Sequence, residues 1–194
     1  MLETTPTGPT IRSGLYSRVV RFEFQPHLIG SLIELRPLRP VDYDAVYEAG
    51  KDPLIWEQHP QSDRYQPDLF RKYFDGGIES GGAFAVIDRA TGRIIGCTRY
   101  CNLKPEESEV EIGWTFLERA SWGGAVNREM KALMLDHAFR FVERVVFVIG
   151  ENNRRSRKAV EKIGGTLFRG PEKEPGRPDV FFVVYAITRS KVAC

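Results

Sequence analysis

Apolar and polar positions alternate along residues 32–38 (LIELRPL), the period of two that a half-buried strand requires. Pro40 then sits where a first helical turn tolerates a missing N–H, so a helix is predicted over 42–49, ended by Gly50. Pro53, Pro60 and Pro67 divide the next stretch into a loop with short turns. A second helix is predicted over 67–78, stopped by Gly81 and Gly82. Residues 83–88 and 94–102 flank an ATGR turn and read as a hairpin. Strict alternation in 109–117 (EVEIGWTFL) places Val110, Ile112, Trp114 and Phe116 on one face and Glu109, Glu111, Gly113 and Thr115 on the other. Met130, Leu133, Met134, His137, Ala138 and Phe141 then recur at the i, i+3, i+4 spacing of a buried helical stripe. A short buried strand is predicted over 145–149. A helix over 153–163 follows, with Ser156, Ala159, Val160 and Ile163 on one stripe and Gly164 and Gly165 at its end. The chain closes with strands over 166–169 and 180–188 around a polar loop, GPEKEPGRPD. The fold class this order implies is α+β, a single mixed central sheet with flanking helices, and no internal repeat is present. Residues 1–30 begin rich in Thr, Pro and Gly and then carry the apolar run 19–24. They read as an extension, partly disordered or holding one added strand, ahead of one domain over 31–194.

Composition narrows the function classes. A chain of 194 residues with 42% hydrophobic and 28% charged residues is a globular domain rather than a disordered chain. Lys+Arg 28 against Asp+Glu 26 leaves +2, too balanced for a nucleic-acid binder that works by broad charge neutralisation. No RNA- or DNA-reading motif is present either. No apolar run approaches the ~20 residues of a membrane span, so no membrane partner is expected. The N-terminus MLETTPTGPT lacks an apolar signal core, which argues against export. Cys97, Cys101 and Cys194 are sparse and odd in number, which fits a reducing, cytoplasmic setting. Four apart in one strand, Cys97 and Cys101 are too far separated to bridge. His27, His59 and His137 are scattered without zinc spacing, so no metal is expected; His137 falls on the apolar stripe and reads as a core residue with a satisfied nitrogen. Monomer and homodimer both stay open.

Two segments carry candidate chemistry. Trp122, Gly123, Gly124, Ala125, Val126 and Asn127 link a strand end directly to a strong helix. Small residues let a ligand approach the backbone, and the helix N-terminus offers free N–H groups to a phosphate or pyrophosphate. Taken alone, a tight strand-to-helix turn is the stronger reading, and neither GxGxxG nor a P-loop is present. In the second segment, Asn153 or Asn152 reads as an N-cap and Ser156 as a first-turn residue. The two segments occupy corresponding places in consecutive β-loop-α units.

The run EIGWTFLERASWGGAVNREMKALMLDHAF followed by VVFVIGENNRRSRKAVEKIGG resembles the GNAT superfamily of N-acetyltransferases, closest to the branch of ribosomal-protein N-terminal (alanine/serine) acetyltransferases. By element order the resemblance spans residues 32–188, and it is sharpest over 109–165. It implies a GNAT-like acyl-CoA N-acyltransferase fold, acetyl-CoA as co-substrate, and transfer of the acetyl group to a primary amine by direct attack in a ternary complex. It implies that the Trp122 to Asn127 loop binds the pyrophosphate through backbone amides. Trp114, Thr115, Phe116 and Leu117 would pair with the pantetheine arm, and a backbone N–H there would meet the carbonyl oxygen. Asn153 would contact the cofactor arm, Ser156 would act as acid toward the leaving thiolate, and Glu111 would lie near the acceptor amine. Two departures stand out: Ala120 occupies the place of a basic or amide residue, with Arg119 one position early, and Gly165 replaces a frequent aromatic.

Glu111 reads either as general base or as electrostatic holder of a cationic amine, and Glu109 is the runner-up base. No covalent acyl-enzyme is expected, since neither Cys97 nor Cys101 has an evident base nearby in sequence. Among Lys131, Arg154, Arg155, Arg157 and Lys158, one is expected to meet the CoA 3′-phosphate. Substrate choice falls to residues 56–65 and 170–179, where Trp56, His59 and Tyr65 offer an apolar-aromatic wall, although Trp56 reads equally as core. A protein N-terminus, a polyamine and a small amino acid all stay open as acceptor. The alternative function is a CoA-binding regulatory or interaction module without turnover.

Overall fold

The computed structural model describes residues 21–174 and 176–189. Eight strands form one sheet in the spatial order β1-β2-β3-β4-β5-β6-β8-β7. They are β1 (Leu28–Ile29), β2 (Ile33–Pro37), β3 (Ala83–Asp88), β4 (Ile94–Lys104), β5 (Glu109–Leu117), β6 (Arg144–Gly150), β7 (Thr166–Glu174) and β8 (Arg177–Thr188). Four helices flank the sheet: α1 (Tyr43–Gly50), α2 (Pro67–Glu79), α3 (Ala125–Ala138) and α4 (Arg154–Glu161). Every neighbouring pair is antiparallel except β5 with β6, which is parallel and joined through α3. This is the mixed α+β sheet that the sequence predicts.

Alternation sorts side chains between two cores. Phe84, Val86, Val110, Ile112, Val145, Phe147 and Ile149 pack against Met130, Met134 and Ala138 of α3 and Val160 of α4. On the opposite face Ala83, Ala85 and Cys97 pack against Val46 of α1 and Phe70 and Phe74 of α2. Pro67 opens α2 in its first turn, where its missing N–H has no partner to lose. His137 is buried among Phe22, Tyr100 and Phe141, with Nε2 donating to the Glu23 carbonyl at 2.9 Å, as a core histidine should.

The 1–30 extension contributes an edge strand, β1, which pairs with β2. In its apolar run over 19–24, residues 21–24 lack strand structure, although Phe22 is buried in the main core; residues 19 and 20 lie outside the described residues. Two sequence expectations are corrected. The predicted loop over 170–179 is mostly ladder, because β7 and β8 extend their pairing to Glu174 and Arg177. Second, strict alternation fails in β5. Cys97 pairs with Phe116 and Arg99 with Gly113, so Trp114 and Thr115 together oppose Thr98. Trp114 adopts φ +53, and this bulge turns Phe116 to the α2 side, away from Val110 and Ile112.

Candidate active site

The parallel ladder between β5 and β6 runs only from Glu109–Arg144 to Glu111–Val146. Past that point the strands part, and the opening is a cavity of about 640 Å³. Its walls include Ile112 to Leu117 from β5, Phe147 to Ile149 from β6, and the first turns of α3 and α4. Backbone N–H and C=O groups along this inner edge of β5 face the gap without a strand partner. An extended ligand arm satisfies such groups as an added strand does.

One end of the gap meets the N-terminus of α3. Gly123 has φ +70, which a glycine adopts without the steric cost of a side chain, and Gly124 is the N-cap. Gly124 supplies no capping side chain, so the first N–H groups of α3 are left to a ligand or water. A Cβ built on Gly124 meets nothing closer than the Trp122 carbonyl oxygen at 3.8 Å, so the surface above it is open. Trp122 is held in place by Nε1 donating to the Leu117 carbonyl at 2.9 Å and by Arg155, whose guanidinium lies 4.1 Å from its ring. Arg155 also donates to the carbonyls of Ile55 and Leu54, tying α4 to the 53–57 turn. Cationic Arg128, Lys158 and Lys162 line the cavity with it. Open amides, a cationic rim and an unpaired strand edge fit an acyl-CoA: a diphosphate, a further phosphate and an amide-bearing arm.

The comparisons with known proteins decide the family. Residues 33–166 match the model of the Acetyltransferase (GNAT) domain. This chain belongs to the GNAT acetyltransferase family. Among solved structures, a GCN5-related N-acetyltransferase from Brucella melitensis is 20% identical with TM-score 0.72, covering 87% of this chain and 80% of its own. Mycobacterium smegmatis RimJ in complex with CoA-disulfide is 18% identical with TM-score 0.63, covering 84% of each chain. The microcin C7 self-immunity acetyltransferase MccE, in complex with acetyl-CoA and AMP, is 12% identical with TM-score 0.67, covering 82% and 94%. No curated protein sequence matches the chain at significance. The fold is that of GNAT acyl-CoA N-acyltransferases.

The cavity of this GNAT domain brings together Trp56, Trp114, Thr115, Phe116, Leu117, Trp122, Gly123, Gly124, Asn127, Asn153 and Ser156. Ala125 and Val126 follow Gly124 on α3 without lining the cavity. Tyr65 packs against the α1–α2 core, outside the lining. Trp56 does both jobs left open for it. It is a core residue whose Nε1 donates to the Gly50 carbonyl at 2.7 Å, and one edge faces the cavity. Asn153 is the N-cap of α4, its Oδ1 accepting the Ser156 N–H at 3.1 Å. Arg119, the residue one place early in the loop, binds the Asp52 carboxylate and does not line the cavity.

The two carboxylates of β5 have different surroundings. Glu109 is only 2% exposed and accepts from the half-buried Arg144 Nε at 2.7 Å, an ion pair outside the cavity. Glu111 is 7% exposed, accepts from Asn102 Nδ2 at 2.8 Å, and is pushed above its ordinary pKa by burial, against the hydrogen bonds from Asn102 and Cys101. It does not line the cavity itself. Its carboxylate lies against Gly113, where a Cβ would stand 2.6 Å from Oε1, and Gly113 does line it. Burial raises the Cys97 thiol to about 11 and Cys101 to about 12, so neither is an available thiolate.

Sequence reasoning expected Lys131 only as a phosphate contact. The structure buries it on the cavity floor, with Nζ donating to Thr115 Oγ1 at 2.9 Å, and burial lowers its pKa to about 7. Arg64, Arg128 and Lys162 line the cavity with no sequence signal that singles them out, and Arg154 and Arg157 are not part of it.

Proposed function

We propose that the chain transfers the acetyl group of acetyl-CoA to a primary amine by direct attack within a ternary complex. What supports this most is the continuity of the parted β5–β6 edge with the uncapped N-terminus of α3. One surface thereby offers strand-like hydrogen bonds to an extended arm and N–H groups to a diphosphate.

In this reading, the backbone from Trp114 to Leu117 aligns the thioester-bearing arm. A free N–H at the bulge takes the charge that the carbonyl oxygen gains as the amine attacks. The N–C bond forms while the C–S bond breaks. The amine must lose a proton, and Glu111 receives it through water past Gly113, its raised pKa bringing it closer to neutral operating conditions. The leaving thiolate takes a proton from solvent or from Ser156, a smaller contribution because a thiolate leaves readily. Glu109 is committed to Arg144 and is the weaker candidate. Tyr65 keeps a supporting place behind the acceptor wall. A protein N-terminus is one acceptor consistent with the narrower resemblance, and a cytoplasmic setting belongs to the same proposal.

The test is release of CoA thiol from acetyl-CoA over N-terminal peptides, polyamines and amino acids. Amine-dependent release supports transfer. Tight acetyl-CoA binding without release over the whole panel refutes it and favours a regulatory module without turnover.

A further inference from the structure

The acceptor side of the cavity is walled by Trp56, His59, Arg64 and Trp114. Arg64 is 5% exposed, and its guanidinium carbon lies 5.1 Å from the Trp56 ring, 5.1 Å from Tyr73 and 5.3 Å from Trp114. Buried cations are normally paired, because an uncompensated charge in low dielectric is expensive. Arg64 has no carboxylate partner among the described residues. Its Nη2 donates to the neutral amide oxygen of Gln61 at 2.9 Å, and its buried Nε donates to nothing. A second buried cation, Arg99, packs on the same Trp114 ring at 4.7 Å and also leaves Nε without an acceptor.

The contact between Arg64 and His59 sharpens the point. His59 Nδ1 accepts the backbone N–H of Gln61 at 2.9 Å, so that nitrogen carries no proton. Burial and the Arg64 charge lower the His59 pKa to about 3, so the ring is neutral and its one proton sits on Nε2. That N–H faces Arg64 Nη1 at 3.3 Å, and a guanidinium has no acceptor to offer. Two donors therefore confront each other at the cavity wall, beside a third donor with no partner. An oxygen anion between Arg64 Nη1 and His59 Nε2 would satisfy both of the facing donors.

We propose that the acceptor carries an anionic oxygen group, a carboxylate or a phosphate, held by Arg64 and His59. The proposal rests on the acetyltransferase reading above. Because Arg64 stacks on Trp114, the strand residue beside the expected acyl position, the anion and the reacting amine must be close together in the acceptor. An α-amino acid or a short aminoalkyl phosphate meets this description. A polyamine does not, since it would bring further positive charge to two unpaired guanidiniums.

The experiment compares acceptors that differ only in the anion: L-alanine with L-alaninamide, and O-phosphoethanolamine with ethanolamine, with spermidine as the cationic control. Thiol release is followed for the wild type and for Arg64→Gln and Arg64→Lys. We expect the anionic member of at least one pair to exceed its neutral partner by tenfold or more in kcat/KM. The pair that shows it distinguishes carboxylate from phosphate. Arg64→Gln should collapse that difference mainly through KM, and Arg64→Lys should restore part of it. Equal or faster turnover of both neutral partners, or of spermidine, overturns the proposal. If no amine is acetylated, the function proposed above fails, and the anion site is judged by binding alone. The imidazole NMR signals of His59 in the wild-type protein with CoA should then shift with O-phosphoethanolamine or alanine and not with the neutral partners; no selective shift overturns the proposal. That measurement needs no variant to fold.

Discussion

Replacing Gly124 by Asp sets the phosphate cradle against the fold in opposite directions. Gly124 has φ −117 and ψ −162, extended backbone that any residue adopts, and a new Cβ has 3.8 Å to its nearest neighbour. The fold should therefore accept the side chain. An Asp at this N-cap reaches the N–H groups of Val126 or Asn127, adding a few tenths of a kcal/mol over glycine. Restricting the unfolded chain at a former glycine adds about 0.4–1 kcal/mol. Together these raise the melting temperature of the ligand-free protein by roughly 2–4 °C. For acetyl-CoA the same carboxylate is doubly unfavourable. It occupies a donor whose charge-assisted bond is worth about 1.5–3 kcal/mol. It also places like charge at about 5 Å from a phosphate, costing about 1.7 kcal/mol at an effective dielectric of ~40. The expected loss is about 3–5 kcal/mol, or roughly 200- to 3,000-fold in Kd. Calorimetric titration with acetyl-CoA and thermal melts of the free protein read the two effects separately. A folded Gly124→Asp protein whose affinity stays within threefold of wild type refutes the cradle.

Glu111→Gln keeps the side-chain shape and should slow the chemical step by roughly 10²–10⁴-fold with acetyl-CoA affinity intact, as single-turnover kinetics would show. Weakened acceptor binding at an unchanged chemical step would instead assign Glu111 to holding the substrate. Ser156→Ala should cost about tenfold in turnover, and wild-type rates would remove the hydroxyl from the mechanism. Lys131 has a folded pKa of about 7 against an ordinary 10.5. Between those values the unfolded chain binds the extra proton, so this group makes stability rise with pH from about 7 to 10. Lys131→Met should flatten that rise and stabilise the free protein at pH 7, because it removes a buried cation that has no carboxylate partner among the described residues. Denaturant melts at pH 7 and pH 9.5 test it, and an unchanged pH slope would show that Lys131 is solvated.

The readable parts of the sequence are those where one local signal decides the outcome. The apolar stripe through Met130, Met134 and Ala138 names the buried face of α3, and the Gly123–Gly124 pair marks its open N-terminus. Other parts depend on partners distant in sequence. The GPEKEPGRPD segment lacks an apolar pattern, yet β8 gives most of it a ladder to pair with. The cationic lining follows helix phase rather than charge density. Arg155, Lys158 and Lys162 share one side of α4, whereas Arg157 turns away to Tyr185, with Nε donating to its hydroxyl at 3.1 Å. Arg64 lies in a polar loop, and its place at the cavity is set by Trp56, Tyr73 and Trp114, which come from three separate elements.

The bulge in β5 explains why periodicity fails at the candidate site and what the failure accomplishes. A bulky residue at positive φ carries no compositional mark, so the sequence offers only strict alternation at Trp114. In the structure the Tyr73 hydroxyl donates to the Trp114 carbonyl at 2.6 Å and secures the irregular backbone from the α2 side. Two consecutive residues then serve opposite faces of the sheet. Trp114 is 46% exposed and presents its ring to Arg64 and Arg99, while Thr115 turns toward Lys131 of α3. A regular strand would also alternate here, but with its phase unbroken Phe116 would leave the α2 core that it now fills. One inserted residue thus keeps Phe116 in that core and Leu117 in the α3 core, and presents the strand to both sides of the opening between β5 and β6. Transfer between an acyl donor along the strand and an acceptor beyond it needs access from both sides at one point, and the Trp114 bulge is where this sheet provides it.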